Sequence, residues 1–480
     1  MKYETVIGME VHAELLTESK QFVGSPNLAL AEPNTLVDPI TLGLPGALPV
    51  LNERAVDLSL RSVIALGCDI SRDCFFERKH YFYPDLPKGY QISQRAKCLG
   101  FGGFLEITLP DGSTKKIGMN DVHMEEDTGK STHGEAVGDP DSSLIDLNRA
   151  GIPLLEIVSA PDMRSVEEAD AYMVALRDLL LFLEISDCKM EQGRLRFEAS
   201  ISLRPEGSTE FGTRVEVKNL NSMKSVRDSI KSEIARQTAL LNANIEVKQE
   251  TMLWDEASGT TQSMRSKEHA HDYRYMPEPD LAPLHIDDEW LERVKAEMPE
   301  MPSVKRERFK TELGLSDYDV EVLTATPVIA NYFEKAAASA KNTRLVVNWV
   351  SNELLGRLNA SGTTIDDSKV APEQLGALVN LIEDGTISGK IAKEVFDEMF
   401  ASGKDASVIV KEKGLEQMSD TSELEAICRA VVEKLPKIVE DYRGGKEKAF
   451  GALVGGVMKE TRGKANPALV NELLKKALEG

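Results

Sequence analysis

Residues 6 to 16, VIGMEVHAELL, alternate with the two-residue period of a strand: Ile7, Met9, Val11, Ala13 and Leu15 share one face, Glu10, His12 and Glu14 the other. One face is core and the other is wholly ionisable. Taken alone, the polar face reads as the wet side of an antiparallel sheet. GRLRFEASISLR repeats the pattern, with Leu195, Phe197, Ala199, Ile201 and Leu203 against Arg194, Arg196, Glu198, Ser200, Ser202 and Arg204. In TRVEVKNLNS the polar face carries Arg214, Glu216 and Lys218. GFLEITLPDGSTKKIGMNDVHME places two period-two runs around an Asp-Gly turn, which predicts a hairpin. SVEEADAYMVALRDLLLFLEI opens with a Ser-x-x-Glu capping box and carries a helical stripe, predicting a helix that ends near Leu183 and packs on the sheet.

These elements make the first part of the chain an α+β domain built mainly on antiparallel strands, residues 1–294. Beyond HDYRYMPEPDLAPLHIDDEW the texture changes to amphipathic helices, which predicts an all-helical domain over 295–405 and a small helical tail over 406–480. Gly455, Gly456 and the TRGKANP loop are expected to separate short helices in that tail. Its last 38 residues carry eight Lys and Arg against four Glu. Lys446, Lys448, Lys459, Arg462, Lys464, Lys475 and Lys476 thus fall at loops and helix ends, where phosphates commonly bind, although a solvated helical face has the same composition.

Composition narrows the class. A chain of 480 residues exceeds one ordinary core. The 41% hydrophobic and 28% charged content is that of a soluble enzyme, with no apolar run of membrane-spanning length and no signal-peptide pattern at the start. Five scattered cysteines, never in a CxxC pair, suit reduced cytosolic thiols and argue against a disulfide framework. A net charge of −22 confines any nucleic-acid contact to local patches.

The candidate chemistry lies in carboxylates. NDVHMEEDTGKS bunches Glu125, Glu126 and Asp127 beside Lys130, and DLNRAGIPLLEIVS places Arg149 before a turn and Glu156 inside an apolar run. A lone carboxylate there is costly unless paired or bound to a cation. If these strands share a sheet, Glu10, His12, Glu125 or Glu126, Glu156, Glu198 and Glu216 converge on one concave surface. Oxygen ligands with at most one imidazole suit Mg²⁺ or Mn²⁺ better than zinc. Lys79, Lys88, Arg149, Arg196 and Lys218 are basic neighbours for phosphate. Such a set fits phosphoryl transfer; ordinary surface ion pairs are the alternative. EEDTGKST lacks the first glycine of a P-loop, GFGGFLE misses GxGxxG, and no GxSxG elbow occurs.

In order along the chain, VIGMEVHAEL, RKHYFYPDLPKGYQISQ, HMEEDTGKSTH, DLNRAGIPLLEIVS, VEVKNLNS and HDYRYMPEPDLAPL resemble GatB, the B-subunit family of the tRNA-dependent amidotransferases, and NPALVNELLKK resembles its YqeY-like tRNA-binding tail. The resemblance implies a cradle domain that uses ATP and Mg²⁺ to phosphorylate the side-chain carboxylate of misacylated Glu-tRNA(Gln) or Asp-tRNA(Asn), followed by amidation with ammonia. It also implies partners: an amidase (glutaminase) known as the A subunit, which hydrolyses glutamine, and a small C subunit. An internal ammonia channel and a cytoplasmic place with no membrane are implied as well. By matching motifs, His12, a carboxylate of MEED and Glu156 would form one Mg²⁺ group near the channel mouth. Glu10, Glu198 and Glu216 would form another at the phosphoryl-transfer site. Lys79 and Lys88 would steer phosphate or line the channel.

Two departures stand out. Where the family commonly reads GSLRCDANVS, this chain has Arg194, Phe197, Glu198 and Ser200, and Glu is one methylene longer than Asp. A non-catalytic tRNA-binding subunit with a degenerate metal site is therefore the competing expectation. Where some members carry two cysteine pairs for zinc, this chain has Val23, Ser25, Asp38 and Thr41, so no zinc is expected.

Overall fold

The structure, a computed structural model, describes residues 2–28, 31–134, 138–139, 141–266, 273–417, 421–446, 448–461 and 464–479. It divides into two compact units, Met1–Val304 and Lys305–Gly480.

The first unit is organised by one thirteen-stranded sheet. Its main path uses β1 (Tyr3–Glu14), β2 (Glu77–His80), β3 (Tyr90–Ser93), β4 (Thr114–Glu126), β5 (Pro153–Ser159), β6 (Leu195–Pro205), β7 (Val215–Lys218), β8 (Glu250–Asp255), β9 (Thr260–Ser266) and β10 (Met276–Pro277). In space the order is β9, β8, β7, β6, β1, β5, β4, β3, β2, β10. Neighbours on this path pair antiparallel except β7 with β8. A parallel pair needs a crossover, and the helix Met223–Asn242 supplies it.

The first strand of the chain is thus central, held between β5 and β6. Its apolar face enters a continuous core in which Ile7, Met9 and Val11 join Leu155 and Ile157 of β5 and Phe197, Ala199 and Ile201 of β6. Helices Glu53–Ala65, Val166–Phe182 and Met223–Asn242 contribute Leu58, Tyr172, Leu176, Val226 and Ile230 to the same core. Each large side chain buried in this way contributes roughly 1.5–3 kcal/mol. The opposite face of β1 is left for the polar residues.

The predicted hairpin forms: Phe104–Thr108 pairs with the start of β4, from Phe104 opposite Gly118 to Thr108 opposite Thr114, and Gly112 of the turn takes φ 83°. The predicted helix runs Val166–Phe182 with Leu183 as its cap. Only half of its capping box is made. Ser165 Oγ accepts from the Glu168 N–H at 3.2 Å, while Glu168 Oε2 accepts from the Arg164 N–H at 2.7 Å, one residue before the expected donor, and from Lys115 Nζ at 2.8 Å.

The described part of the second unit is helical, with two separate apolar clusters. One spans Phe309 to Val410, the other Leu424 to Leu478. Gly455 and Gly456 do not separate helices; both lie inside the helix Lys448–Glu460. A Cβ on Gly456 would come within 2.9 Å of Val431 Cγ1, so that glycine serves close packing of two helices. Among the described residues no helix is long and apolar enough to cross a membrane.

Candidate functional site

Strand pairing turns the scattered polar positions into a row. His12 stands directly opposite Glu156 of β5 and Arg196 of β6, and Glu156 stands opposite His123 of β4. Four adjacent strands therefore present His123, Glu156, His12 and Arg196 side by side. Glu10 stands opposite Glu198, and Ser200, two residues further along β6, stands opposite Glu216. Residues up to 206 positions apart in the chain meet on one face.

Glu156 accepts from both imidazoles, with His12 Nε2 at 3.3 Å and His123 Nε2 at 3.2 Å. Asp121 Oδ1 lies 2.8 Å from Nδ1 of His123 and orients that ring. Glu10 and Glu125 are 3.7 and 3.8 Å from His12 Nε2. At the other end Lys218 Nζ lies 2.6 Å from Glu198 and 3.8 Å from Glu216. Among the described residues, three groups bring ligand atoms within 4.8 Å of one another: Glu10, His12 and Glu156; His123, Glu125 and Glu156; and Glu10, Glu198 and Glu216. They border a cleft of about 790 Å³, also lined by Lys79, Lys218, Tyr273 and Tyr275, which is room for a ligand as well as ions.

The electrostatics follow from crowding carboxylates in low dielectric. Burial, then the charges of Glu156 and Glu198, push the Glu10 carboxyl up to about 8, against the pull of His12 and Lys218. Burial opposes charge on His12, yet Glu156, Glu198 and Glu125 hold its imidazole up at about 9. His123 is raised in the same way, burial opposing and Glu156 and Asp121 prevailing. Glu156, despite burial, is held well below the ordinary carboxylate range by His123 and His12. Protons thus stand where a cation would otherwise balance the cluster. All-oxygen Glu10, Glu198 and Glu216 form a donor set that fits a hard divalent ion, and the two histidine-containing groups each add one imidazole.

The other candidates are placed as follows. Glu125 faces the cleft, with Ser93 Oγ at 3.3 Å from its Oε2. Glu126 does not join it: alternation turns it to the other side of β4, where it pairs with Lys88 and accepts from the Ile92 N–H at 2.9 Å. Lys79 lines the cleft, its Nζ 5.3 Å from the Tyr273 ring centroid and 5.9 Å from that of Tyr81. Arg149 is taken up locally, donating to the carbonyls of Thr128 and Gly129 at 3.0 and 2.8 Å. Arg196 pairs with Asp127 at 2.7 Å. Lys130 is exposed on a separate two-stranded hairpin.

In the tail, Lys446 pairs with Asp441 at 2.8 Å, Lys476 with Glu472 at 2.6 Å, and Lys464 donates to the Gly414 carbonyl at 2.5 Å. Lys448, Lys459 and Lys475 are exposed, and Arg462 lies outside the described residues. At the positions considered for zinc, Asp38 ties the loop instead. Its carboxylate accepts from Thr41 Oγ1 at 2.9 Å, Ser25 Oγ at 3.3 Å and the Ile40 N–H at 2.8 Å, while Val23 is half-buried.

Sequence reasoning passed over His123, Asp121 and Tyr273. The signal for the first two was present, because Asp121, His123 and Glu125 share the two-residue period that picks out Glu125. Tyr273 had none, since no local pattern brings residue 273 to β2.

Residues 5–292 match the GatB/GatE catalytic domain family and residues 331–478 match a GatB domain. The chain is similar to proteins named as the B subunit of aspartyl/glutamyl-tRNA(Asn/Gln) amidotransferase. It is 52% identical to that of Carboxydothermus hydrogenoformans, over 99% of both chains. It is 51% identical to that of Caldanaerobacter subterraneus subsp. tengcongensis and 52% to that of Geotalea uraniireducens, each over 100% of both chains. The row of acids and imidazoles described above therefore sits in a member of GatB, the B-subunit family of the tRNA-dependent amidotransferases.

Proposed function

We propose that this chain performs the two chemical steps that turn a misacylated tRNA into a correctly charged one. In the first, a side-chain carboxylate oxygen of glutamate on tRNA(Gln), or of aspartate on tRNA(Asn), bonds to the γ-phosphorus of ATP as the bond to the ADP oxygen breaks. In the second, ammonia bonds to the acyl carbon, the carbon–oxygen bond to phosphate breaks, and a proton leaves the nitrogen. A free carboxylate is a poor electrophile, so phosphorylation supplies the leaving group.

The observation that carries this reading is the meeting of Glu10, Glu198 and Glu216 within 4.8 Å at the wall of a cleft of about 790 Å³, with Lys218 beside them. Mg²⁺ on these oxygens would neutralise phosphate charge and favour in-line transfer. Lys218 and Lys79 add fixed positive charge for the phosphoryl oxygens. Burial opposes the charge on Lys79, yet Glu125, Tyr275, Glu156 and Tyr273 together raise its ammonium above the ordinary lysine range. His12, 3.7 and 3.8 Å from Glu10 and Glu125 and held by Glu156, would orient these two neighbouring ligands. In this reading residues 1–294 carry the chemistry, 295–405 connect, and 406–480 hold tRNA through the lysines of the tail. In the same reading ammonia comes from the amidase partner, with the small third partner completing a cytoplasmic complex.

The test is release of phosphate from γ-labelled ATP by the chain purified with both partners. Release that needs Mg²⁺, is stimulated by Glu-tRNA(Gln) or Asp-tRNA(Asn) but not by Glu-tRNA(Glu), and matches amide formation is expected. Binding of tRNA with no release on either substrate would assign the chain a binding role only.

A further inference from the structure

β2 uses both of its faces at the rim of the acidic cleft. Glu77 and Lys79 line the cleft, and alternation turns Arg78, between them, the other way. There its guanidinium makes a two-pronged pair with Glu278, Nε to Oε2 and Nη2 to Oε1, both at 2.8 Å, and reaches Asp280 at 3.1 Å. No part of the Glu278 side chain is exposed, and the guanidinium carbon lies 4.3 Å from the centroid of the Tyr90 ring. We infer that this pair anchors a strap, residues 273–280, that fixes the Lys79 ammonium in the cleft. Arg78, Glu278 and Tyr273 are then positioning residues for phosphoryl transfer, and the inference rests on that reading of the cleft.

Backbone pairing alone holds the strap weakly. β10 ends the main path of the sheet and is two residues long, with Met276 opposite Arg78 and Pro277 opposite Glu77. Ordinary strands are two to three times longer, and proline has no N–H to give. The Glu278 N–H adds one bond, to the Phe76 carbonyl at 2.9 Å. A bidentate pair of guanidinium and carboxylate fixes direction as well as distance, so the clamp decides where the strap lies on β2.

Before the clamp, the strap presents its rings to the cleft. Arg274 takes φ 44°, in the left-handed region that long side chains rarely adopt, and its carbonyl lies 3.0 Å from Nδ1 of His80. A strained residue of this kind persists only where its surroundings hold it. On either side of it Tyr273 and Tyr275 line the cleft, with ring centroids 6.2 Å apart. Each ring meets a cation from elsewhere in the chain. Lys79 Nζ is 5.3 Å from the Tyr273 centroid, and the Arg95 guanidinium carbon is 4.9 Å from that of Tyr275. Because Lys79 Nζ is also 5.9 Å from the Tyr81 centroid, the ammonium stands between one ring of its own segment and one of the strap. A lysine stem is flexible, and two ring faces narrow the directions in which this one can point.

The experiment follows phosphate release from γ-labelled ATP by the complex with both partners, in the presence of the misacylated tRNA that stimulates it, as MgATP is varied. Arg78→Lys keeps the charge and loses the fork; Tyr273→Ala removes the ring and leaves the clamp intact; Tyr273→Phe keeps the ring. Arg78→Lys and Tyr273→Ala are each expected to lower kcat about tenfold or more, with KM for MgATP within about twofold of wild type. Since both act through one ammonium, the double variant is expected within about twofold of the slower single variant. Tyr273→Phe is expected to stay within about threefold of wild type. Wild-type kcat in Tyr273→Ala, a loss in Tyr273→Phe equal to that in Tyr273→Ala, losses confined to KM, or losses that multiply in the double variant overturn the inference and leave phosphoryl transfer standing. A wild-type complex that releases no phosphate overturns both.

Discussion

Glu10 and Glu198 face each other directly across two adjacent antiparallel strands. Like charges in that position oppose pairing, so this sheet keeps them at the expense of its own stability. Glu10 answers by holding a proton, its carboxyl pushed from 4.5 to about 8 by burial and by its acidic neighbours. A raised carboxyl stabilises the fold fully below its unfolded value and loses that contribution as pH rises through its folded value. Without Mg²⁺, urea unfolding of the wild type should therefore show stability falling between pH 4.5 and about 8. Glu10→Gln should flatten that fall and abolish stabilisation by Mg²⁺. A Gln variant with an unchanged slope would remove Glu10 as its source.

His123 shares Glu156 with His12 and belongs to the group with Glu125. Its replacement should therefore act on the ion more than on the fold. His123→Ala is expected to weaken Mn²⁺ binding, followed by electron paramagnetic resonance, by about 10- to 100-fold. Unchanged Mn²⁺ affinity would reduce His123 to a buried partner of Glu156.

Glu198 is the residue that the family resemblance leads one to expect as Asp, and here it reaches Lys218 at 2.6 Å. Because its register opposite Glu10 is set by backbone pairing, one methylene changes reach and not direction. Glu198→Asp should keep phosphate release within about threefold of wild type, and Glu198→Ala should lower it by about 100-fold. A large gain in the Asp variant would reveal that the longer side chain compromises the site.

Asp127 is 5% exposed and bonded to Arg196 at 2.7 Å. Against burial, Arg196 and Arg149 hold its carboxyl down at about 2, below the ordinary 3.8. The sign is opposite to that of Glu10: this stabilisation is present above pH 3.8 and is lost as pH falls toward about 2. Asp127→Asn should cost about 2 kcal/mol at pH 7, read from urea midpoints, and the difference from wild type should shrink below pH 3.8. An equal difference at pH 7 and pH 3 would contradict the charge pairing.

The alternation in VIGMEVHAELL and GRLRFEASISLR is local, and it makes β1, β6 and their ionisable faces legible in the residue order alone. Helical texture beyond residue 295 is equally plain. What alternation cannot supply is register. That Glu10 meets Glu198 depends on pairing across 188 positions, which no local pattern encodes. Glu125 and Glu126 look interchangeable as two adjacent acids at the end of β4, and only the parity of the strand before them separates the two. Counted from Val122 and Met124, which are buried in the core, Glu126 falls on their face and Glu125 on the cleft face. Arg149 and Arg196 read as phosphate ligands because their partner, Asp127, reads as part of the acidic cluster.

The central place of β1 also has a consequence in time. It is synthesised before either neighbour, since both lie far downstream, at Pro153–Ser159 and Leu195–Pro205. At about 5–20 residues per second, roughly 10 to 40 s separate its emergence from the ribosome and the emergence of its second neighbour. Both edges of a strand with one apolar face stay unpaired until β5 emerges, and one stays unpaired until β6 follows, so β1 is a segment that a chaperone would shield. A nascent chain stopped before Leu195 holds Glu10 without the strand that carries Glu198, so the acidic row stays incomplete until β6 has emerged.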